Sequence, residues 1–144
     1  MKILVINGPN INMLGIREPN IYGKSTYENL LTSVKDHAAA RHIEIETYQS
    51  NHEGALVDAI QSAYQTVDGI VINPGAYTHT SIALLDAVKS VDIPTVEVHI
   101  SKVEEREAFR QISYIRSACL ATITGRGIQG YLDAIDLLID HLKA

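Results

Sequence analysis

Apolar positions along the chain follow two periods in turn. The short segments 2–7, 43–49, 69–73, 95–98 and 118–124 read as strands. Between them the apolar residues recur at helical spacing. Leu30, Leu31, Val34 and Ala38 mark one face of a helix over 26–41, and Leu56, Ala59, Ile60 and Ala63 mark a stripe on the next helix. Further helices are expected over about 80–91 and 128–142, with a short one over 104–111. Ser25 with Glu28, and Ser50 with Glu53, have capping-box spacing at the first two helix starts. Asp92-Ile93-Pro94 predicts a turn into the fourth strand.

Strands that alternate with helices imply βαβ units and a parallel sheet. Right-handed crossovers leave an α/β, flavodoxin-like doubly wound sandwich as the simplest topology: a five-stranded parallel sheet in the order 2-1-3-4-5, with helices on both faces. The 144 residues suit a single catalytic domain spanning 1–144. In such sheets ligands bind outside the carboxyl ends of the strands, so function is expected just after Asn7, Asn73 and Val98. The connection over 7–24 is far longer than the roughly 2–6 residues usual between a strand and its helix. With Gly15 and Gly23 in it, the stretch at about 15–24 reads as an active-site lid.

Composition narrows the class without choosing the chemistry. The chain is 46% hydrophobic and 20% charged, and no apolar run approaches the ~20 residues that span a bilayer. The apolar run at 3–6 is too short for a signal-peptide core and reads as the first strand. Cys119 is the only cysteine, so an internal disulfide is impossible and a reducing, cytoplasmic setting is expected. A net charge of −5 argues against nonspecific binding to nucleic acid or anionic membranes.

Several chemistries compete for the expected rim. Gly125-Arg126-Gly127-Ile128-Gln129-Gly130 fits a dinucleotide fingerprint between a strand and a helix. The chain after it is too short for another strand and a ribose-binding acid about 20 residues on, so the glycines read as a tight turn with close helix packing. Glu97 and His99 stand two apart at a strand end and point to one face. With His79 and His52 they are a possible metal set, but no established zinc spacing exists, and the better reading has Glu97 orienting His99 for proton transfer. No G-x-S-x-G elbow is present, and Cys119 reads as inert core within a strand.

Proton chemistry remains. Tyr22 and Arg17 share the long connection, and a guanidinium beside a phenol favours the phenolate. A Tyr/Arg pair and a His/Glu pair would supply one base and one acid. Each residue also has a plainer reading: Tyr22 as a packing residue, His99 as a structural hydrogen-bonder, Arg106 and Arg110 as a solvated stripe or as a clamp for a substrate carboxylate, and Asn7, Asn12 and Asn73 as turn formers or site hydrogen-bonders.

Longer strings carry more information. Asn7-Gly8-Pro9-Asn10-Ile11-Asn12-Met13-Leu14-Gly15, Arg17-Glu18-Pro19-Asn20-Ile21-Tyr22-Gly23, Gln49-Ser50-Asn51-His52-Glu53-Gly54, Asn73-Pro74-Gly75-Ala76-Tyr77-Thr78-His79-Thr80-Ser81, Glu97-Val98-His99-Ile100-Ser101, Arg106-Glu107-Ala108-Phe109-Arg110 and the Gly125 to Tyr131 stretch follow one another in a single frame. Together they resemble the type II dehydroquinases over nearly the whole chain. The chain departs from that pattern at Met13, Lys102, Glu104 and Arg126.

The resemblance implies reversible conversion of 3-dehydroquinate to 3-dehydroshikimate, without metal or cofactor, in aromatic biosynthesis or quinate catabolism. It implies a dodecamer built as a tetramer of trimers. It assigns Tyr22 as the base at C2, Arg17 as the group that lowers the Tyr22 pKa, and Asn12 with an ordered water as the enolate stabiliser. His99, held by Glu97, is the acid for the C1 hydroxyl. Asn73, His79, Ile100, Ser101 and Arg110 are implied to bind substrate, Arg106 to support the site's charge network, and Asp86, at the start of the third helix, to reach a neighbouring subunit's site.

Overall fold

The computed structural model describes residues 1–16 and 25–144. Among them, five strands form one parallel sheet in the order β2-β1-β3-β4-β5. They are β1 (Lys2–Asn7), β2 (Glu44–Gln49), β3 (Gly69–Asn73), β4 (Thr95–His99) and β5 (Ala121–Thr124). The helices are α1 (Tyr27–Ala40), α2 (Glu53–Ser62), α3 (Ile82–Val91) and α4 (Gln129–Lys143). The fold class, the strand order and the helices at 26–41, 80–91 and 128–142 agree with the sequence pattern to within two residues at each end.

The period of two along the strands sorts the core into two layers. Ile3, Val5, Val71, Val96 and Val98 face one side, where they meet Leu30 and Val34 of α1 and Tyr131, Ile135 and Leu138 of α4. Leu4, Ile6, Ile70 and Ile72 face the other side, against Leu56 and Ile60 of α2 and Leu84 and Val88 of α3. β3 and β4 are buried along their whole length, whereas β2 alternates between exposed and partly buried residues because it is a sheet edge. Each large aliphatic side chain buried this way contributes about 1.5–3 kcal/mol.

This alternation also decides where the polar strand residues point. Asn7 and Asn73 continue the face of Val5 and Val71, toward α4. Glu97 and His99 take the opposite face from Val96 and Val98. The loop ends behind these residues are drawn together: Gly8 N–H donates to the Asn73 carbonyl at 2.8 Å, and Ser50 N–H donates to the Asn7 carbonyl at 3.1 Å.

Four local expectations are corrected. The cap of α1 is Thr26, not Ser25: Thr26 Oγ1 accepts from Asn29 N–H at 3.1 Å and Asn29 Oδ1 accepts from Thr26 N–H at 3.0 Å, one residue later than the Ser25/Glu28 pair. Ser50 does not cap α2; its hydroxyl accepts from His52 N–H at 3.0 Å in the turn before the helix. The segment 104–111 holds two short 3-10 turns, Val103–Glu105 and Ala108–Arg110, separated by extended backbone at Arg106 and Glu107. Val103 is the only buried residue in those turns, so no apolar face stabilises a helix there. The fifth strand begins at Ala121 rather than 118, because Ile115–Ala118 forms another 3-10 turn that buries Ile115. Cys119 therefore sits ahead of the strand and half-buried, where burial and the nearby Glu97 charge push its thiol up to about 12.

Among the described residues no helix is long and apolar enough to cross a membrane. The closeness of β1 and β3 at their carboxyl ends makes a clear test of the fold. A β-carbon at Gly8 would lie 2.3 Å from the Pro74 carbonyl oxygen, which belongs to the main chain and has little room to yield. Gly8→Ala is expected to cost about 1–3 kcal/mol, seen as a lower urea midpoint with an unchanged slope; an unchanged midpoint would contradict this packing.

Candidate active site

The carboxyl ends of β1, β3 and β4 open into one cleft of about 170 Å³. Its walls include Pro9, Asn10 and Ile11 after β1, Asn73, Gly75, Ala76 and His79 after β3, and His99, Ile100, Ser101 and Val103 after β4, with Arg106 and Arg110 closing one side. The topological rule pointed to this rim, and six of the residues expected to bind substrate line the cleft: Asn73, His79, Ile100, Ser101, Arg106 and Arg110.

His99 is the buried group at the foot of the cleft, and Glu97 lies behind it without any exposed surface. The two meet at 2.5 Å through His99 Nε2 and Glu97 Oε2. A carboxylate only accepts, so His99 Nε2 carries the hydrogen and Nδ1 is the atom left for proton exchange. Burial pushes the Glu97 carboxyl up, but hydrogen bonds and charge from His99 and Arg116 outweigh it and hold the group at about 2. Arg116 donates through Nε and Nη2 at 3.2 Å each, Ser113 Oγ donates at 2.9 Å, and Thr122 Oγ1 donates at 3.1 Å. Thr122 stands directly opposite Glu97 in the β4–β5 register.

A second polar chain sets Asn73. Gly75 N–H donates to Asn73 Oδ1 at 3.1 Å, so the amide nitrogen must face the other way. That nitrogen donates to the Tyr131 hydroxyl at 2.9 Å, and the hydroxyl in turn donates to Asn7 Oδ1 at 2.6 Å. Tyr131 is fully buried on α4, and burial pushes its phenol far above the usual range, so it stays protonated. Asn73 keeps one amide hydrogen for the cleft. His79 is fixed in a similar way: Nδ1 donates to the Ile112 carbonyl at 2.7 Å, and partial burial lowers its pKa. It is neutral at pH 7, with Nε2 as an acceptor.

The glycine motif has a structural use. Gly125 and Gly127 have φ of +74° and +56°. Gly125 N–H reaches the Ser101 carbonyl at 3.0 Å and the His99 carbonyl at 3.3 Å, and Gly127 N–H reaches the Ile100 carbonyl at 3.2 Å. Amides that would cradle a phosphate are thus spent on the segment that carries His99. A β-carbon at Gly130 would press on Ile123 at 3.3 Å and Val98 at 3.5 Å, which is the close helix packing expected from the sequence.

The remaining expected residues stand as follows. Arg17 and Tyr22, and all of the expected 15–24 lid beyond residue 16, fall outside the described residues. Asn12 is exposed at the rim and accepts from Gln49 Nε2 at 3.3 Å; the same nitrogen reaches the Gly8 carbonyl at 3.1 Å and Asn51 Oδ1 at 3.2 Å. Asp86 is not at the start of its helix: it is exposed in the middle of α3, away from this chain's own cleft. Arg106 and Arg110 are not on one helical face, since the segment is not a helix, yet both reach the cleft. Arg110 also pairs with Glu107 at 2.5 Å. Glu104 accepts from Thr124 Oγ1 at 3.0 Å and Arg126 pairs with Asp133 at 2.5 Å, so two unusual residues are engaged at the surface. Among the described residues no three His, Cys, Asp or Glu side chains converge as a metal set, and His52 lies apart from His99.

Sequence reasoning assigned no role to Arg116, Ser113, Thr122, Gln49 or Tyr131. A hydroxyl on the apolar face of the last helix was the available signal for Tyr131. Nothing local marks Arg116.

Comparison with known proteins agrees with this fold. Residues 1–139 match the family model described as dehydroquinase class II. The chain is 57% identical over 143 residues to a 3-dehydroquinate dehydratase of Clostridium acetobutylicum, covering 99% of both chains. It is 56% identical over 142 residues to a 3-dehydroquinate dehydratase of Corynebacterium glutamicum, covering 99% of this chain and 98% of the other. The crystal structure of a type II dehydroquinase from Butyrivibrio crossotus superposes with a TM-score of 0.95 at 57% identity, covering 96% of this chain and 97% of that one.

The state of Glu97 has a measurable consequence. Its carboxyl titrates lower in the folded protein than in the unfolded chain, so its stabilisation is complete above about pH 5 and is lost as pH falls toward about 2. The expected loss is on the order of 3 kcal/mol. Denaturant titrations from pH 7 down should show it, and Glu97→Gln should flatten that part of the curve; an equally steep acid limb in the variant would count against the buried carboxylate.

Proposed function

The chain belongs to the class II dehydroquinase family, and we propose that it catalyses the reversible trans-elimination of water from 3-dehydroquinate to give 3-dehydroshikimate. The observation that carries this reading is the buried Glu97–His99 pair at the foot of a cleft lined by Asn73, His79, Arg106 and Arg110. Loss of a hydroxyl β to a ketone needs a base for the proton beside the carbonyl, a stabiliser for the enolate, and an acid for the leaving oxygen. No electron or group is transferred to another carrier, so the reading requires no metal or cofactor.

Tyr22, with its pKa lowered by Arg17, takes the C2 proton. Asn12, steadied by Gln49, stabilises the enolate through an ordered water. His99 Nδ1 delivers a proton to the departing C1 hydroxyl, while Glu97 stays a carboxylate throughout because its oxygens are already saturated with donors. Ile100 has only main-chain polar atoms, and its carbonyl is taken by Gly127; its amide, beside Ser101, is therefore the group that meets the substrate carboxylate. Asn73 donates to a substrate hydroxyl, neutral His79 accepts from one, and Arg110 adds charge-assisted bonds.

The same reading makes the working form a homo-oligomer, a dodecamer arranged as a tetramer of trimers, in which Asp86 of one subunit approaches the site of another. The exposed large side chains of Ile82 at 55%, Phe109 at 64% and Ile112 at 54% support a covering subunit. It places the enzyme in the cytoplasm, on the shikimate route to chorismate and the aromatic amino acids.

Turnover is visible directly, since the product has a conjugated enone that the substrate lacks. Ultraviolet absorbance should grow when purified protein meets 3-dehydroquinate, and the growth should survive both a chelator and borohydride. A folded protein that produces none removes the assignment. Tyr22→Phe should lower kcat by at least ~10²-fold while ligand binding and folding persist; near-normal turnover would exclude Tyr22 as the base.

A further inference from the structure

Glu97 has more partners than orientation of His99 requires. Ser113 and Thr122 satisfy it with neutral hydroxyls, but Arg116 places a full positive charge on both of its oxygens, at 3.2 Å through Nε and 3.2 Å through Nη2. Arg116 reaches Glu97 from the turn Ile115–Ala118 and does not line the cleft, so it does not touch a molecule bound there. We propose that Arg116 is a positioning residue that shares the Glu97 carboxylate with His99, and so sets how readily His99 gives its proton to the leaving hydroxyl. The proposal rests on the dehydratase reading only for the identity of the proton acceptor.

The charges around the pair decide the direction. With His99 protonated, Arg116, Glu97 and His99 sum to one positive charge; with His99 neutral they sum to zero. Without Arg116 those sums become zero and one negative charge. An unshared Glu97 would hold the imidazolium more firmly, and His99 would be a weaker acid. Among the described residues, the other groups facing the pair do not substitute for Arg116. Thr122 from β5 and Ser113 from the preceding loop are neutral, and so is the Cys119 thiol, which burial keeps protonated. On the cleft side stand His79, Arg106 and Arg110. Of these, His79 is neutral at pH 7 and Arg110 is engaged with Glu107, and both Arg106 and Arg110 lie on the side where substrate binds. Arg116 is half exposed, at 48%, so its effect is screened and a moderate shift is expected.

The test compares the wild type with Arg116→Gln and Arg116→Lys in two measurements. The first is the pH dependence of kcat with 3-dehydroquinate. The limb on which the rate falls as pH rises should move up by about one pH unit in Arg116→Gln, with a plateau about tenfold lower. KM should stay within about twofold, because no cleft contact is lost; Arg116→Lys should recover most of both effects. The second is the titration of the His99 imidazole by NMR in ligand-free protein, which needs no turnover. It should move in the same direction in Arg116→Gln and return in Arg116→Lys. An unchanged His99 titration in folded Arg116→Gln, or a lysine variant no better than glutamine, overturns the proposal. A His99 titration that moves in Arg116→Gln and returns in Arg116→Lys, in a protein that converts no dehydroquinate, sinks the dehydratase reading and leaves the Arg116 coupling standing.

Discussion

A carboxylate with no exposed surface, in the fourth strand of a parallel sheet, is the constraint to which much of this molecule answers. An isolated ionised carboxyl in that position would cost many kcal/mol and would take up a proton instead. Glu97 stays charged because donors arrive from three directions: His99 along its own strand, Thr122 from the strand beside it, and Ser113 and Arg116 from the 112–119 segment that crosses its face. Those donors exist only when β4 pairs with β5 and the 112–119 segment is in place. The same contacts that stabilise the fold therefore fix the tautomer of His99, so stability and the proton transfer proposed for His99 depend on one cluster.

The second network obeys the same logic with neutral groups. Asn7 and Asn73 end adjacent strands and point to one face, where a single tyrosine hydroxyl joins them. The Tyr131 oxygen accepts from one amide and donates to the other, so the Asn73 orientation set by the Gly75 N–H is completed by a helix more than fifty residues away. Glycines then bring the main chain close enough for these groups to meet. Gly8 lies against Pro74, and Gly125 and Gly127 turn their amides onto the carbonyls of 99–101. The site is thus held on strand ends and turns tied to each other, which is the arrangement a reacting geometry within a fraction of an ångström demands.

Much of this was legible in the chain. Period-two runs and helical stripes specify which segments are strands and helices, because burial of one face is a local property of spacing. Alternation of the two specifies a parallel sheet, and the handedness of crossovers leaves one simple order. From that order alone the rim after Asn7, Asn73 and Val98 was the place to look, and Asn73, His79, His99, Ile100, Ser101, Arg106 and Arg110 do meet there. Local errors arose where a motif had two equivalent registers, as at Ser25 and Thr26, or where charged residues had helical spacing but no apolar face to pack, as over 104–111.

Only the tertiary structure decided how those residues are held. The pairing of Glu97 with Thr122 depends on strand register, and register is a relation between segments that no single segment encodes. The reach of Arg116 to Glu97 depends on a 3-10 turn packing over a strand nineteen residues earlier, and Tyr131 meets Asn7 across 124 residues of chain. By itself the sequence determined the layers, the strand order and the rim where the cleft opens, because these follow from periodicity and chain connectivity. Which donor satisfies which buried acceptor was settled in three dimensions, because a hydrogen bond is specified by distance and angle, and those exist only once distant segments have packed.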